Sequence, residues 1–181
     1  TEYWQQGDVF ISIRHQSAII HYRPSTNKVI NYITGPFAHQ HDVDIINDKE
    51  ISIFNNNNFV VDNEHSEVVV YNFETKTFKK IFNDQLQKEN FKTISGGLSH
   101  IFKDRSLMVE EQNHGRIVLF NNRGEKEWEF VNKDKNDDTM YMFLLYAYKI
   151  YQVYGVNTSY EEVCTLISIQ TATKKIYPTF F

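Results

Sequence analysis

The chain has 181 residues and a formal net charge of −4, and 41% of its residues are hydrophobic. A chain of this length and composition can bury a core as one globular domain, which we place over residues 1–181. The negative charge, with no cluster of lysine and arginine to offset it, argues against binding to nucleic acids, which requires a basic surface. We therefore expect a single domain or domain fragment whose partners do not include nucleic acid.

Two further features of the composition limit the fold and the compartment. Aromatic residues make up 15% of the chain, which favours strands over helices. The one cysteine, Cys164, excludes an internal disulfide but leaves the compartment open. The longest apolar run, Met140–Tyr154, contains Lys149 and Gln152 and is too short and too polar to span a bilayer. We therefore expect no membrane span.

A pattern of strand, strand, turn and strand recurs along the chain. It occurs first as Val9–Ile13, Ala18–Tyr22, a turn at Pro24–Lys28, and Val29–Ile33. The later occurrences are Ile51–Phe54, Glu67–Tyr71, Glu74–Lys76 and Phe78–Phe82; then Leu107–Val109, Arg116–Phe120, Asn122–Gly124 and Lys126–Phe130; and last Leu166–Gln170, Thr171–Lys174 and Lys175–Tyr177. The turns follow one another at steps of about 49 residues, a spacing typical of propeller blades.

Each later repeat is preceded by a lead-in strand. These strands are Asp42–Ile46, Leu98–Phe102 and Met142–Tyr146. Four strands per repeat predict an all-β fold, a β-propeller with about four blade-like repeats near residues 7–48, 49–104, 105–139 and 140–181. Asn55–Asn58 and Asn83–Asn90 are predicted to be polar loops. For Met140–Tyr154 a helix remains an alternative, because its apolar residues follow neither a strand nor a helix period.

A ring of four blades is at the lower limit of the propeller architecture. An open ring leaves unpaired strand edges that favour association with other chains. We therefore expect these repeats to be part of a larger ring, completed either by further N-terminal blades or by a second copy of the chain in a homo-oligomer.

Two histidines, His39 and His41, stand two residues apart in Gly35–Asp42, just before a predicted strand. If that segment is extended, both side chains point to one side. A neutral imidazole is both a nucleophile and a metal ligand, so the pair is a candidate chemical centre. A polar loop whose histidines cap neighbouring backbone groups is the other interpretation.

The run Ser12–Ile19 contains a second candidate, because Arg14 and His15 stand where one strand turns into the next. The guanidinium presents a planar fork of donors that suits a tetrahedral oxyanion such as sulfate or phosphate. A solvated surface arginine is the alternative interpretation.

Three segments together carry a family resemblance. Ser12–Ile19, Gln40–His41 followed by Ile51–Asn55, and Ser66–Tyr71 resemble the bacterial arylsulfate sulfotransferases and their arylsulfotransferase-like relatives. The resemblance covers Val9–Phe120, in the order of that family's second half. It implies the C-terminal blades of a six-bladed β-propeller, a periplasmic or extracellular location, and transfer of a sulfuryl group from an aryl sulfate to a phenol with no nucleotide or other cofactor.

The resemblance also implies roles for individual residues. His41 matches the family's nucleophile, which carries the sulfuryl group as a transient sulfohistidine, and Arg14 matches the arginine that binds the sulfuryl oxygens. From proximity in sequence, His39 would orient or protonate, and His15 would assist the departing phenolate. The predicted substrate-binding residues are His39, His15, Asn55 and His100. His100 has a second interpretation, as a structural residue related by the repeat.

Some family features are missing or changed here. The family's upstream histidine and asparagine have no counterpart before Val9. A family threonine is replaced within Ser95–His100, which leaves Ser95 or Ser99 as the nearby hydroxyls. Two functions of other classes therefore remain open. One is a non-catalytic propeller that binds a ligand or a protein. The other is a metal site, which we do not favour, that would be built from His39 and His41 with Asp42, His100 or His114.

Overall fold

A computed structural model describes residues 1–58 and 65–133, together with the strands at residues 146–150 and 164–168. The described chain is all-β, with four antiparallel sheets, one short helix and three short 3-10 turns. Each sheet is formed by strands that are consecutive in sequence and paired with their nearest neighbours. No helix in this part of the chain is long and apolar enough to cross a membrane.

The first sheet has three strands in the order β1-β2-β3. They are β1 (Val9–Ile13), β2 (Ala18–Arg23) and β3 (Lys28–Thr34). A single 3-10 turn joins each pair and ends at a residue in the left-handed region, Ser17 with φ 49° and Asn27 with φ 52°. Asparagine tolerates this conformation better than most residues, which explains the tight second turn.

The second and third sheets each have four strands. The second contains β4 (Val43–Asn47), β5 (Glu50–Asn55), β6 (Glu67–Asn72) and β7 (Thr77–Ile81). The third contains β8 (Leu98–Ile101), β9 (Leu107–Glu111), β10 (Arg116–Phe120) and β11 (Lys126–Val131). In both sheets the strand order follows the sequence, and the predicted lead-in strands are the first strands, β4 and β8.

The remaining strands, β12 (Tyr146–Ile150) and β13 (Cys164–Ser168), pair antiparallel. Strand β12 shows that the helix considered for Met140–Tyr154 is wrong for residues 146–150, where the backbone pairs in a ladder. Three other predictions lie outside the described residues. They concern the rest of that run, most of the lead-in strand Met142–Tyr146, and the final turn and strand.

Two apolar cores lie between consecutive sheets, and they explain why the central strands are rich in valine and isoleucine. Along β5, Ile51 and Ile53 enter a core that they share with the first sheet, while Phe54 points to the opposite side. There Phe54 packs with residues of the third sheet such as Leu107 and Val118. Because side chains alternate along a strand, β5 contributes to both cores and is buried on both faces.

The predicted polar loops are confirmed for residues 56–58, whereas Asn55 and most of Asn83–Asn90 belong to regular elements. Residues Asn83–Lys88 form helix α1, whose single apolar residue, Leu86, is fully buried in the core between the second and third sheets. Asn55 is the last residue of β5, and Asn55 and Asn56 are both buried. Their amides are hydrogen-bonded, and a buried polar group is tolerated when its bonding capacity is satisfied. A polar sequence therefore did not mean an exposed loop here.

Candidate functional site

The histidine pair lies in a loop, not in a strand. His39 has φ 52°, in the left-handed region, and β4 begins only at Val43. The expectation that strand alternation directs both histidines to one side is therefore wrong. The two residues are instead held separately: the His39 N–H donates to Ser17 Oγ at 3.2 Å, and the His41 N–H donates to the Phe54 carbonyl at 2.9 Å.

The imidazole of His41 is bonded through both ring nitrogens. Its Nδ1 atom lies 2.6 Å from Oδ1 of Asn56, and its Nε2 atom accepts the backbone N–H of Gly96 at 3.1 Å. His41 precedes the second sheet and Gly96 precedes the third. The ring therefore bridges two loops that are far apart in sequence.

The hydrogen bonds of Asn56 decide which nitrogen of His41 carries the proton. Its Nδ2 donates to the carbonyls of Thr93 and Gly96, at 2.9 and 2.7 Å. Carbonyl oxygens only accept, so the amino group must face them and Oδ1 must face His41. Nδ1 of His41 therefore donates its proton to Asn56, and Nε2 keeps an unprotonated lone pair directed at Gly96.

Residues 93–97 form the loop that lies against this ring, and its shape is held by both backbone and side chains. Gly97 has φ 100°, and its N–H donates to Gln112 Oε1 at 2.8 Å. A Cβ at Gly97 would lie 2.2 Å from the ring of Phe54, so the backbone passes close to the core. The left-handed backbone and the close approach both require glycine here.

The buried hydroxyl of this loop belongs to Thr93. Its Oγ1 lies 3.1 Å from the Ser95 carbonyl and also within hydrogen-bond distance of Oδ1 of Asn113, and its single proton is donated to one of these acceptors at a time. Thr93 was not among the hydroxyls expected from the sequence, which were Ser95 and Ser99. Of those two serines, Ser95 is exposed and bonded to Asn113, whereas Ser99 is buried in β8.

Arg14 reaches the same loop from the first sheet. It begins the 3-10 turn after β1, and its Nη2 donates to the Ile94 carbonyl at 3.0 Å. Its Nε atom is buried and has no hydrogen-bond partner among the residues that the structure describes. Arg14 and His41 therefore contact positions two residues apart on one loop.

His15 and His39 lie beside Arg14, whose guanidinium is the permanent positive charge of this region. The two imidazole rings lie edge to face, with centroids 5.9 Å apart. Burial lowers the pKa of His39, and its neighbours Arg14, His15 and His41 lower it further. An anion placed here would be stabilised by the charge of Arg14.

The other two predicted substrate-binding residues have different surroundings. Asn55 is fully buried; its Oδ1 accepts the N–H groups of Ala38 and Asn57, and its Nδ2 donates to Glu67 at 3.0 Å. It therefore holds together the two loops that flank the site. His100 is half exposed on β8, with Nδ1 3.5 Å from Oδ2 of Asp44.

Asp42 follows His41 but bonds elsewhere. Its Oδ2 accepts the backbone N–H of Ser99 at 2.9 Å, and burial raises its pKa to about 6. Within residues 1–58 and 65–133, no three His, Cys, Asp or Glu side chains are grouped so that they could hold a metal ion.

The comparison with protein families bears on the whole of this region. The family model for arylsulfotransferase (ASST) matches residues 1–133. The chain belongs to the arylsulfotransferase family. The match covers all three fully described sheets and every residue of the candidate site, and it confirms the resemblance found in the sequence. A search of curated proteins found no match to the chain.

In this arylsulfotransferase-family chain, the imidazole of His41 is held by two residues to which the sequence alone assigns no role. Asn56 bonds Nδ1 of His41, and Gly96 bonds its Nε2. The sequence carries two signals for them, the asparagine run after Phe54 and the Gly96-Gly97 pair. Neither signal indicates that these loops meet at His41, because that depends on tertiary packing.

Proposed function

We propose that this arylsulfotransferase-family protein is a nucleotide-independent aryl sulfotransferase, which moves a sulfuryl group between phenolic compounds through His41. The observation that carries this proposal is the pair of hydrogen bonds on the imidazole. Asn56 holds the proton on Nδ1, so Nε2 presents the lone pair that a nucleophile needs.

The reaction divides into two displacements at sulfur. In the first, the Nε2 lone pair of His41 forms an N–S bond, the S–O bond to the aryl group breaks, and its electron pair leaves on the phenolate oxygen. In the second, the oxygen of a deprotonated acceptor phenol forms a bond to sulfur, and the N–S bond breaks to restore the lone pair. One histidine that serves both halves predicts ping-pong kinetics.

The charge of Arg14 beside the loop supports this chemistry. Arg14 would bind the sulfuryl oxygens, where negative charge is concentrated, and its buried Nε has a free donor for one of them. We assign His39 to orientation or proton transfer near the ring, and His15 to stabilisation of the departing phenolate. To reach sulfur, Nε2 must exchange the Gly96 N–H for the substrate.

The architecture that we propose is a β-propeller in which the described sheets are consecutive blades. Four-stranded sheets that follow the sequence, packed face to face with an apolar core between each pair, are typical of such blades. We further propose a six-bladed ring, completed by other blades or by a second copy, and a periplasmic or extracellular location. These last points rest on the family alone.

The proposed activity is tested by incubating the protein with a chromogenic aryl sulfate and a phenol acceptor. We expect release of phenolate that requires the acceptor for repeated turnover, and loss of this release in His41→Ala. His65→Ala is the matched control, because His65 bonds Asn83, the first residue of α1, and takes no part in the site. Rapid mixing with donor alone should leave a sulfuryl group on His41, detectable by mass spectrometry. A folded protein with no release and no modified His41 would contradict the proposal.

A second function, binding without turnover, is favoured by one observation. Nε2 of His41 and Nη2 of Arg14 already have partners within the protein, the Gly96 N–H and the Ile94 carbonyl. A site closed in this way could serve as an anion-binding or protein-binding module. Calorimetry would then detect binding of an aryl sulfate that the same protein never cleaves.

A further inference from the structure

Asn56 is buried, with 1% of its surface exposed, and every polar atom of its side chain has a defined partner. Oδ1 faces Nδ1 of His41, and Nδ2 faces the carbonyls of Thr93 and Gly96. Rotating the amide by half a turn would direct its oxygen at two carbonyl oxygens. The surroundings therefore allow one orientation of the amide.

We propose that Asn56 is a positioning residue for the reaction: it fixes His41 as the Nδ1–H tautomer and so selects Nε2 as the attacking atom. The catalytic part of this inference rests on the proposed function, whereas the tautomer itself does not. Asn56 acts through His41, and we assign it no contact with substrate.

The opposite tautomer would create two repulsive contacts at once. Its Nδ1 lone pair would face Oδ1 of Asn56, and its Nε2–H would face the Gly96 N–H. Neither partner can adapt, because the Asn56 amide is held by two carbonyls and the Gly96 N–H belongs to the backbone. Asn56, which directly follows β5, thus sets the tautomer of the imidazole through Oδ1. Its amino group holds the loop of residues 93–97 in place.

The same geometry explains why an asparagine is suited to this position. An aspartate has nearly the same shape, but it would direct a carboxylate oxygen at the Thr93 and Gly96 carbonyls and place a negative charge beside Nδ1. That charge would favour the protonated imidazole, whose Nε2 has no lone pair. Arg14, His15 and His39, the other charged or titratable groups identified in this region, are unchanged by this substitution.

The first test reads the tautomer directly and requires no activity. Nitrogen-15 NMR of the imidazole, assigned by comparison with His41→Ala, should show a protonated Nδ1 and an unprotonated Nε2 at pH 8. A protonated Nε2, or a mixture of tautomers, would overturn the inference whatever the protein catalyses. If the tautomer is as expected but no sulfuryl transfer occurs, the proposed function fails by itself.

The second test uses two variants and a matched control. We expect Asn56→Ala to lower kcat by about 10- to 100-fold, with a smaller change in KM, by analogy with the loss seen when the hydrogen-bond partner of a metal-ligating histidine is removed. For Asn56→Asp the acidic limb of the pH profile should move to higher pH, so activity partly returns in alkaline buffer. Asn122→Asp, on an exposed turn, should change neither quantity.

A purely structural Asn56 would give a different result. Both variants would then lose activity equally at every pH, in proportion to the fraction unfolded, and the pH profile would keep its position. That result would overturn the inference. Circular dichroism of each variant separates loss of fold from loss of function, and the NMR measurement on the unsubstituted protein remains decisive if neither variant folds.

Discussion

Asp42 accepts the backbone N–H of Ser99 at 2.9 Å, and this bond joins the residue before β4 to β8 in the next sheet. The carboxyl group is largely buried, and burial raises its pKa to about 6. Between about pH 4 and pH 6 the folded protein therefore holds a proton that the unfolded chain has released. The free energy of unfolding falls as pH rises through this window.

Replacing this carboxyl group should stabilise the protein above that window. Asp42→Asn keeps an oxygen that can accept from Ser99 but has no charge to desolvate. We expect it to raise the free energy of unfolding by about 3 kcal/mol at pH 8 and by much less at pH 4, given about 1.4 kcal/mol per pKa unit. Urea denaturation at the two pH values measures this. An equal effect at both would show that desolvation of the charge is not the cause.

Asp8 should have the opposite dependence on pH. It accepts Arg23 Nε and Nη2, at 2.8 and 2.7 Å, and bonds Nε2 of the buried His21. Arg23 is the main cause that holds the pKa of Asp8 well below its usual range. The stabilisation is present above about pH 4, the ordinary range of an aspartate, and is lost as pH falls toward the pKa of the folded state.

We therefore expect Asp8→Asn to lower the melting temperature at pH 7 and to have a shrinking effect as the pH falls below 4. Differential scanning calorimetry across this range measures the change. Asp48→Asn, at an exposed turn, is the control and should have little effect at any pH. A difference that grows on acidification would be incompatible with the low pKa.

Gly97 should be the glycine least tolerant of substitution. Its φ of 100° is strained for any other residue, and a Cβ would lie 2.2 Å from the Phe54 ring and 2.8 Å from the Thr93 side chain. We expect Gly97→Ala to cost about 2–4 kcal/mol of stability, from backbone strain and overpacking together.

Gly7 offers a matched control for this substitution. Its φ is 91°, yet nothing lies within 4 Å of an added Cβ. Gly7→Ala should therefore cost only the backbone strain, about 1 kcal/mol. Chemical denaturation of the two variants measures the difference. If both variants lost the same stability, the contact with Phe54 would carry no energy.

Arg14 should tolerate lysine poorly even though the charge is kept. A lysine carries all three of its donors on one nitrogen, so it cannot place two donors as far apart as Arg14 does with Nη2 at the Ile94 carbonyl and Nε free for a sulfuryl oxygen. We expect Arg14→Lys to lower kcat/KM for aryl sulfate by about 100-fold, comparable with the loss of one donor to a developing oxyanion.

Arg123→Lys is the control for this substitution, because Arg123 forms an exposed ion pair with Glu125. Steady-state kinetics of the two variants make the comparison. Full activity in Arg14→Lys would remove Arg14 from the proposed site and leave it as a link between the first sheet and the loop.

The strands of the first, second and third sheets could be predicted because apolar residues and turn residues recur at a regular spacing. The helix Asn83–Lys88 could not, since its one buried residue, Leu86, gives no helical period. The left-handed backbone at His39 could not be predicted for a related reason. The local sequence suggested an extended segment before β4, but hydrogen bonds from the His39 N–H to Ser17 Oγ and from the Ala38 N–H to Asn55 Oδ1 fix a loop.

Residue type and spacing marked His41 and Arg14 as candidates, and the family resemblance gave them the roles that we propose. Their partners could not be identified from the sequence, because Asn56 and Gly96 are brought to the ring by packing of the second and third sheets. A run of asparagines carries no mark of which amide is buried and which is solvated. Only the placement of the facing carbonyls, at Thr93 and Gly96, distinguishes Asn56.

The loop of residues 93–97 also bears on how the chain folds during its synthesis. Gly96 follows His41 by 55 positions, and Ile94 follows Arg14 by 80. Contacts so distant along the chain close late in folding. A nascent protein halted at the end of the second sheet would already contain His41 and Arg14, but it would lack residues 93–97, which supply a hydrogen-bond partner to each of them.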